Sequence, residues 1–234
     1  MLQSPSQFRP GPPLQLDSHK YATQLAELEA YGGGGTTSSA RTTEQTDVAQ
    51  FWNANATSQV NQTTRDLTIA HGFDLVETAR ALAMDNLVDS DAGIACFDAK
   101  YHYTFWRPVT AIQHADIDGN DLTTANPTWT PLLTTPNHPE YPAAHGCLTS
   151  SDAEVDAMLL DTHRIEVDVM GAVGRNVTTL TATRHYATVE QLDREIVNAR
   201  VWAGLHFRDS GETGVKLGRD VAHWTLERYF LPTS

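Results

Sequence analysis

The amino-acid sequence predicts an all-α fold, a bundle of helices in one compact domain, and three observations support this. The 234 residues suit a single domain with one buried core. Apolar residues recur at helical spacing from about residue 43 onward, whereas the alternation typical of half-buried strands is scarce. The clearest helical periods are formed by Met84, Leu87, Val88 and Ala95, by Leu192, Ile196, Ala199 and Ala203, and by Val215, Gly218, Ala222, Leu226 and Tyr229.

The chain divides into an N-terminal arm, residues 1–42, and a helical domain, residues 43–234. In the arm, prolines extend the run FRPGPP, and Asp17–Ser18 can cap a short helix that continues to Tyr31. The following run GGGGTTSSARTT is small and polar, which is typical of a flexible connector. Within the helical domain, prolines and turn residues predict a long loop from about Pro108 to Pro142. Loops of this length inside compact domains are usually functional or disordered.

The charge balance restricts the classes of partner. The formal net charge of −13 opposes binding to nucleic acid and to anionic lipid, both of which require basic patches. An anion can then be bound only by a few cations focused in one place. No segment approaches 18 consecutive apolar residues, so we expect no transmembrane segment. The first residues lack the apolar stretch of a signal peptide, so the chain is either cytosolic or starts at a mature or truncated end.

Two residue types bear on the cellular compartment. Cys96 and Cys147 can form one disulfide or remain two free thiols, and they cannot form a zinc site by themselves. Three Asn-x-Ser/Thr sequences mark potential N-glycosylation sites at Asn55, Asn61 and Asn176. Such short motifs often arise by chance, and they favour a secreted or periplasmic location only weakly.

The first segment with chemistry contains Lys100 and Arg107, seven residues apart. On an unbroken helix this is close to two turns, which would place both cations on one face. Pro108 instead disfavours helical backbone at Arg107, so that Lys100 would end a helix and Arg107 would open the loop. In both arrangements the two side chains can point into one cavity. The alternative is a pair of surface cations beside an aromatic cluster.

The second segment is HPEYPAAHG, in which His145 directly follows Ala143 and Ala144. Small residues ahead of a helix leave backbone N–H groups open to an anion at the helix N-terminus. A histidine at that position is a candidate general acid or base. The alternative is a capping or core histidine after a proline turn.

The third segment runs from Arg200 to His206. Six residues on a continuous helix would place these two side chains on rather different sides. Gly204 is suited to end the helix, which would let His206 fold back towards Arg200. Asp209 follows within reach of the imidazole ring and could orient it.

Together, the patterns Lys-x6-Arg-Pro, Pro-x-x-His and Arg-x5-His, in this order, resemble the three-part signature shared by vanadium-dependent haloperoxidases and type 2 acid phosphatases. Flanking segments such as DAGIACFDAKYHYTFWRPVTAI and ARVWAGLHFRD are also similar to bacterial and plant haloperoxidase-like proteins, from roughly Thr42 to the C-terminus. The resemblance implies the helical bundle of that superfamily. Because family members are usually much longer, the chain is expected to correspond to their C-terminal, vanadate-binding half.

The resemblance also implies a role for each motif residue. The equatorial oxygens of vanadate or phosphate would be held by the side chains of Lys100, Arg107 and Arg200 and by the backbone N–H of Ala144. Three cations neutralise a multiply charged oxyanion, and planar arginine forks suit its paired oxygens. His206 would be the axial ligand of vanadate or the nucleophile of a phosphatase. His145 would be the catalytic acid or base.

The sequence departs from the family pattern at three places. Ala143 and Ala144 stand where the family usually has Ser-Gly, which removes a hydroxyl donor to the oxyanion, a loss of about 1 kcal/mol. Ala199 stands where a serine often precedes the arginine. Asp209 lies one position earlier than the usual acid.

Three functions fit the resemblance. The first is vanadate-dependent oxidation of a halide by hydrogen peroxide; the second is a soluble acid phosphatase acting on a phosphate monoester in the same pocket. The third is a non-catalytic, secreted structural or self-assembling protein. We expect a homo-oligomer, because a surface that the other half covers in longer proteins could serve association.

Two finer expectations follow from the resemblance. His138 stands where bromide-oxidising members tend to carry histidine and chloride-oxidising members an aromatic residue, so we expect bromide or iodide to be oxidised in preference to chloride. Phe97 would supply an apolar wall. If the motifs of Lys100 and His145 line one pocket, their helices are neighbours, and we expect Cys96 and Cys147 to form a disulfide, which implies an oxidising compartment.

Overall fold

The fold is a bundle of α-helices with one small β-hairpin, as seen in a computed structural model that describes residues 1–173 and 179–231. Over these residues the elements are α1 (His19–Tyr31), α2 (Thr43–Phe51), α3 (Ala56–Ala70), α4 (Leu75–Tyr103), α5 (Pro108–Gln113), a 3-10 helix (Ala115–Ile117), α6 (Ala144–Leu160), β1 (Val167–Gly171), β2 (Ala182–Tyr186), α7 (Val189–Trp202) and α8 (Arg208–Leu226). The strands are antiparallel, with Val167 opposite Tyr186. The all-α prediction is confirmed.

Helix α6 lies at the centre of the bundle, where it packs against α3, α4, α7 and α8. Its approach to α8 is close enough to require glycine. A Cβ atom on Gly214 would lie 2.5 Å from the carbonyl oxygen of Ala143, and one on Gly218 would lie 2.2 Å from that of Cys147. Because no real Cβ comes so near a backbone oxygen, the two glycines set the spacing of these helices.

The N-terminal arm packs onto the bundle through α1. Of the two candidate caps, Asp17 and Ser18, it is Ser18 that caps this helix, by accepting a hydrogen bond from the backbone N–H of Tyr21. The interpretation of the glycine run as a flexible connector is wrong. The N–H of Gly34 donates to the carbonyl oxygen of Thr130 at 2.9 Å, and a Cβ on Gly34 would lie 2.4 Å from the Cα of Leu132. The glycines therefore permit close packing of the arm against residues 130–132. The division of the chain into an arm and a helical domain at residue 42 stays a prediction.

The disulfide prediction is wrong, although its premise that the two cysteines are neighbours is confirmed. Cys96 and Cys147 are buried in the same apolar cluster between α4, α6 and α8, where both are free thiols. The Cys96 thiol shares a hydrogen bond with that of Cys147 and also donates to the carbonyl oxygen of Pro142, with 3.8 Å between sulfur and oxygen.

Two of the three potential glycosylation sites, Asn55 and Asn61, lie at the start of α3 and within it. The side chain of Asn55 caps this helix by accepting from the N–H of Ser58, and the amide of Asn61 donates to the carbonyl oxygen of Thr57. Asn176 lies outside the described residues. In the parts of the chain that the structure describes, no helix is both long and apolar enough to cross a membrane.

Candidate functional site

Lys100 and Arg107 lie on either side of a break between two helices. Lys100 is in the last turn of α4, which ends at Tyr103 because Thr104 adopts a left-handed conformation with φ of 47°. The backbone of Arg107 is extended, and Pro108 is the first residue of α5. Steric exclusion by the proline ring explains the break. The arrangement in which Lys100 closes a helix and Arg107 opens the next segment is confirmed.

Backbone carbonyls hold both cations inside the protein. The ammonium of Lys100, which is 0% exposed, donates to the carbonyl oxygens of residues 139 and 140 at 3.0 and 2.9 Å. The guanidinium of Arg107 donates to the carbonyl oxygens of His138 and Leu205, each at 3.0 Å. Carbonyls satisfy the N–H donors without cancelling the positive charge. The pocket therefore keeps two buried cations.

Arg200 and His206 are brought together by the turn that ends α7. Gly204 has a φ of 75°, and the N–H groups of Leu205 and His206 both bond to the carbonyl oxygen of Arg200 at 3.1 and 3.4 Å. This turn confirms the predicted fold-back. The guanidinium of Arg200 donates through Nη1 to the carbonyl oxygen of Trp52 at 3.0 Å. Its buried Nε has no hydrogen-bond partner among the described residues.

Glu140, which the motif spacing does not single out, orients the ring of His206. Its Oε1 lies 2.9 Å from Nδ1 of His206 and also accepts from the N–H of Phe207 at 3.0 Å. Because Oε1 accepts from Nδ1–H, the other ring nitrogen, Nε2, carries a lone pair. That lone pair accepts from Nη1 of Arg107 at 3.0 Å. The carboxyl group of Glu140, the imidazole of His206 and the guanidinium of Arg107 thus form one buried row of hydrogen bonds.

The prediction that Asp209 orients this ring is wrong. Asp209 lies in the first turn of α8, where its carboxylate pairs with Lys20 and its N–H bonds to the side chain of Gln24 at 2.9 Å. The start of α8 directs Asp209 towards α1 and away from His206. In the sequence, Glu140 could have been found as the one acidic residue of the segment HPEYPAAHG.

His145 is the second residue of α6, next to Ala144. Ala143 takes the N-cap position with extended backbone, and within the described residues no side chain caps this helix. The first-turn N–H groups are therefore open to an anion. Nε2 of His145 lies 3.2 Å from the carbonyl oxygen of Ala54. Since a carbonyl can only accept, Nε2 carries the proton and Nδ1 is free to accept one.

His138 and Phe97 form one wall beside Arg107. Nδ1 of His138 lies 3.1 Å from Nη2 of Arg107, and the two aromatic rings have their centroids 5.2 Å apart. Phe97 is 39% exposed, so this wall faces the solvent side of the pocket. Burial, followed by the charges of Lys100 and Arg107, lowers the pKa of His138 to about 4. The ring is therefore neutral at pH 7.

The pocket is strongly positive, although the whole chain is acidic. Burial lowers the pKa of Arg107 to about 10 and that of Arg200 to about 9, so both remain charged at pH 7. Burial also lowers the pKa of Lys100. The facing carboxyl, Glu140, has its pKa raised to about 7 by burial, which reduces its negative charge. The site therefore holds more positive than negative charge.

The five motif residues lie close enough for their charges to act on one another, and both histidines are neutral. Burial lowers the pKa of His206 well below its ordinary value, and the charges of Arg107, Lys100 and Arg200 act in the same direction. Burial and the charge of Arg200 do the same for His145. The convergence of the three motifs on one site is therefore present in the structure, while the catalytic roles of the residues stay a prediction.

The pocket fits an oxyanion better than a bare metal cation. Within the described residues, no group of three or more His, Cys, Asp or Glu side chains is arranged to hold a metal ion. The unpartnered Nε of Arg200 and the uncapped start of α6 offer donors instead. The lone pair at Nε2 of His206, which accepts from Nη1 of Arg107, could serve an oxyanion once this hydrogen bond is exchanged. Three cations, N–H donors and one imidazole match the needs of a tetrahedral metal oxyanion such as vanadate.

Comparison with known proteins gives the same result at the level of fold and family. A family model described as the VCPO second helical-bundle domain matches residues 80–231. A bacterial vanadium-dependent iodoperoxidase superposes with a TM-score of 0.78 at 24% identity, covering 97% of this chain and 54% of the other. An apo-type bacterial vanadium-dependent chloroperoxidase gives 0.75 at 20% identity, with 97% and 54% covered. No curated protein sequence matches the chain.

Fold and site together define a helical-bundle protein with a buried oxyanion pocket. The chain belongs to the vanadium haloperoxidase family, because the family model covers more than half of it. It spans about half the length of the solved structures that it resembles. At identities below 25%, those structures establish a shared fold and leave the reaction of this chain to be argued from its own residues.

Proposed function

We propose that this chain binds vanadate in the cationic pocket and uses it to oxidise a halide with hydrogen peroxide. One observation carries the proposal: three buried cations face a single carboxyl whose pKa is raised to about 7, and a buried guanidinium nitrogen of Arg200 has no partner among the described residues. Buried charge without a partner is costly. A multiply charged oxyanion would satisfy the donors and neutralise the excess charge.

The residues that would hold vanadate follow from their donors and lone pairs. Lys100, Arg107 and Arg200 would neutralise its oxygens, with the N–H of Ala144 as a further donor. His206 would ligate through Nε2, whose lone pair is fixed by the bond between Nδ1–H and Glu140 and would exchange its present donor, Nη1 of Arg107, for vanadate. When bound, vanadate supplies the Lewis acidity that activates hydrogen peroxide.

His145 would accept a proton from hydrogen peroxide. The ring is neutral because burial and the charge of Arg200 lower its pKa, and its Nε2–H is engaged by the carbonyl oxygen of Ala54. Nδ1 is the remaining basic position. A neutral imidazole held in one tautomer can take a proton without first losing one to the solvent.

Bromide and iodide are the proposed substrates rather than chloride. The wall beside Arg107 consists of the neutral ring of His138 and the ring of Phe97. Ala143 provides no hydroxyl to strengthen the oxyanion shell. A less strongly activated oxidant suits the halides that are easier to oxidise.

The test is a halogenation assay on the purified chain with vanadate, hydrogen peroxide and each halide in turn. We expect bromide and iodide oxidation that requires both vanadate and peroxide. Arg200→Ala should abolish it, whereas Arg65→Ala, which removes an exposed arginine of α3, should not. Phosphate release from a monoester without halide oxidation would point to the phosphatase instead. Inactivity in both assays would leave the non-catalytic alternative.

A further inference from the structure

A second buried polar site lies between α3 and α6. It surrounds a cavity of about 10 Å³, which is room for one water-sized particle. Its polar lining consists of oxygen-bearing side chains: Gln59, Thr63, Thr149, Asp152 and Asp156. Neither lysine, arginine nor histidine lines the cavity among the described residues. Each of the five side chains is at least nine-tenths buried.

The helical spacing places these oxygens on facing turns. Gln59 and Thr63 are four residues apart on α3, and Asp152 and Asp156 are four apart on α6, so each pair lies on one helix face. Thr149 precedes Asp152 by three residues and shares its face. The cavity is thus lined mainly by α3 and α6, which pack against each other.

Gln59 shows that an acceptor, and not a donor, points into the cavity. Its Nε2 donates to the carbonyl oxygen of Met170 at 3.1 Å, which fixes the amide and identifies the other atom as oxygen. That Oε1 has no hydrogen-bond partner among the described residues, and neither do Oγ1 of Thr149 and Oδ1 of Asp156. Three buried oxygens therefore lack a donor in one small cavity.

The surrounding acids increase the negative character of this place. Asp85 and Asp89 on α4 are buried beside Asp152. Asp85 shares a hydrogen bond with Asp152. Repulsion of this kind is relieved either by protons or by a cation.

We propose that this cavity is a binding site for a hard divalent cation of the calcium class, held by the carboxylates of Asp152 and Asp156, the amide oxygen of Gln59 and the hydroxyls of Thr63 and Thr149. Carboxylate, amide and hydroxyl oxygens are the ligands that calcium takes, in irregular geometry and in numbers of about six to eight. Two carboxylates balance the charge of a divalent ion. The site is separate from the proposed vanadate pocket, so its test requires neither vanadate nor halide.

Terbium(III), which resembles calcium in size and oxygen preference, provides a direct probe. Trp52 lines the cavity, so terbium bound there should show luminescence sensitised by tryptophan. We expect calcium to displace it and magnesium, which demands a smaller octahedral shell, to displace it poorly. Trp52→Phe should lose the emission but still bind calcium in titration calorimetry, because Trp52 supplies none of the proposed ligands.

Matched charge variants complete the test. Asp156→Asn should weaken calcium binding by about tenfold or more, since ligand charge sets affinity at such sites. Asp47→Asn removes the same charge from an exposed position on α2 and should change nothing. A thermal unfolding temperature of the EDTA-treated wild-type chain that rises with calcium would support the site. If the wild-type chain binds no calcium at millimolar concentration, or if Asp156→Asn binds it equally well, the cavity holds water between protonated carboxyls and the proposal is overturned.

Discussion

Helix α6 connects two buried charged regions of opposite sign. Its first turn, at Ala144 and His145, borders the cationic pocket, and Asp156 lies about 18 Å further along its axis at about 1.5 Å per residue. In the pocket, backbone carbonyls accept from every one of the three cations, and the pKa values of Arg107 and Arg200 stay at about 10 and 9, above neutral. In the acidic cavity, burial instead raises the pKa of Asp156 well above its ordinary value.

The difference shows what a buried charge needs. The arginines keep their charge because oriented carbonyls replace the water they have lost. The aspartates of the cavity face one another and unpaired oxygens, so they must take up protons or a cation. Burial alone therefore does not determine whether a group keeps its charge; the partners of each group do.

The largest expected effect is the loss of oxyanion binding when Arg200 is shortened. Arg200→Ala removes charge-assisted hydrogen bonds worth about 3 kcal/mol, so the vanadate affinity should fall by about a hundredfold or more. Titration calorimetry with orthovanadate measures this directly, with Arg65→Ala as the matched control. Unchanged affinity in Arg200→Ala would mean that the unpartnered Nε does not face the anion.

The second prediction compares Glu140, which contacts the ring of His206, with Asp209, which the sequence analysis expected to orient that ring. Glu140→Gln keeps an acceptor for Nδ1 of His206 but loses the negative charge. Since such supporting carboxylates typically contribute about 10–100-fold, vanadate affinity or halide turnover should fall by that factor. Asp209→Asn, whose side chain pairs with Lys20, should reduce either by less than about threefold. Equal losses in the two variants would remove the special role of Glu140.

The third prediction uses the opposite pH responses of the two regions. Burial and the charge of Asp85 raise the folded pKa of Asp89 to about 6, so its contribution to stability is present below about pH 4 and is lost as the pH rises through about 6. Asp89→Asn should therefore raise the free energy of unfolding at pH 7 by on the order of 2 kcal/mol. It should change little at pH 4.

Urea unfolding across this pH range, in EDTA, measures this change in the free energy of unfolding.

The histidines of the cationic pocket respond to pH in the opposite direction. Because the folded pKa of His138 is lowered to about 4, its contribution is present above about pH 6.5 and is lost as the pH falls through about 4. An Asp89→Asn variant with the same pH profile as the wild-type chain would show that Asp89 is not strained.

The smallest expected effect concerns halide choice. His138→Phe keeps the aromatic contact with Phe97 but removes the bond between Nδ1 and Arg107. We expect the ratio of chloride to bromide oxidation to rise by a few-fold, about 1 kcal/mol, with vanadate affinity little changed. Parallel assays with the three halides measure the ratio. A ratio that stays constant would assign His138 to packing alone.

The sequence was sufficient for the parts of the fold and site that depend on local chemistry. Proline after Arg107 and glycine at position 204 forced the two breaks that aim Arg107 and His206 into the pocket, and both were predicted. Tertiary contacts were beyond such reasoning. The role of Glu140, the pairing of Asp209 with Lys20 and the close packing at Gly34 depend on elements distant in sequence.

The acidic cavity was missed for a similar reason. Asp152 and Asp156 have ordinary helical spacing, which is typical of a solvated face, and only the packing of α3 against α6 buries them. Gln59 and Thr63 on α3 show the same four-residue spacing. Nothing in one sequence indicated that these two faces meet.

The central claim is that the cationic pocket binds a tetrahedral oxyanion, and titration calorimetry of the purified chain with orthovanadate tests it most directly. We predict saturable binding of one vanadate per chain, competition by phosphate at the same site, and loss of both in Arg200→Ala with retention in Arg65→Ala. A wild-type chain that binds neither vanadate nor phosphate at millimolar concentration, while remaining folded by circular dichroism, would contradict the account.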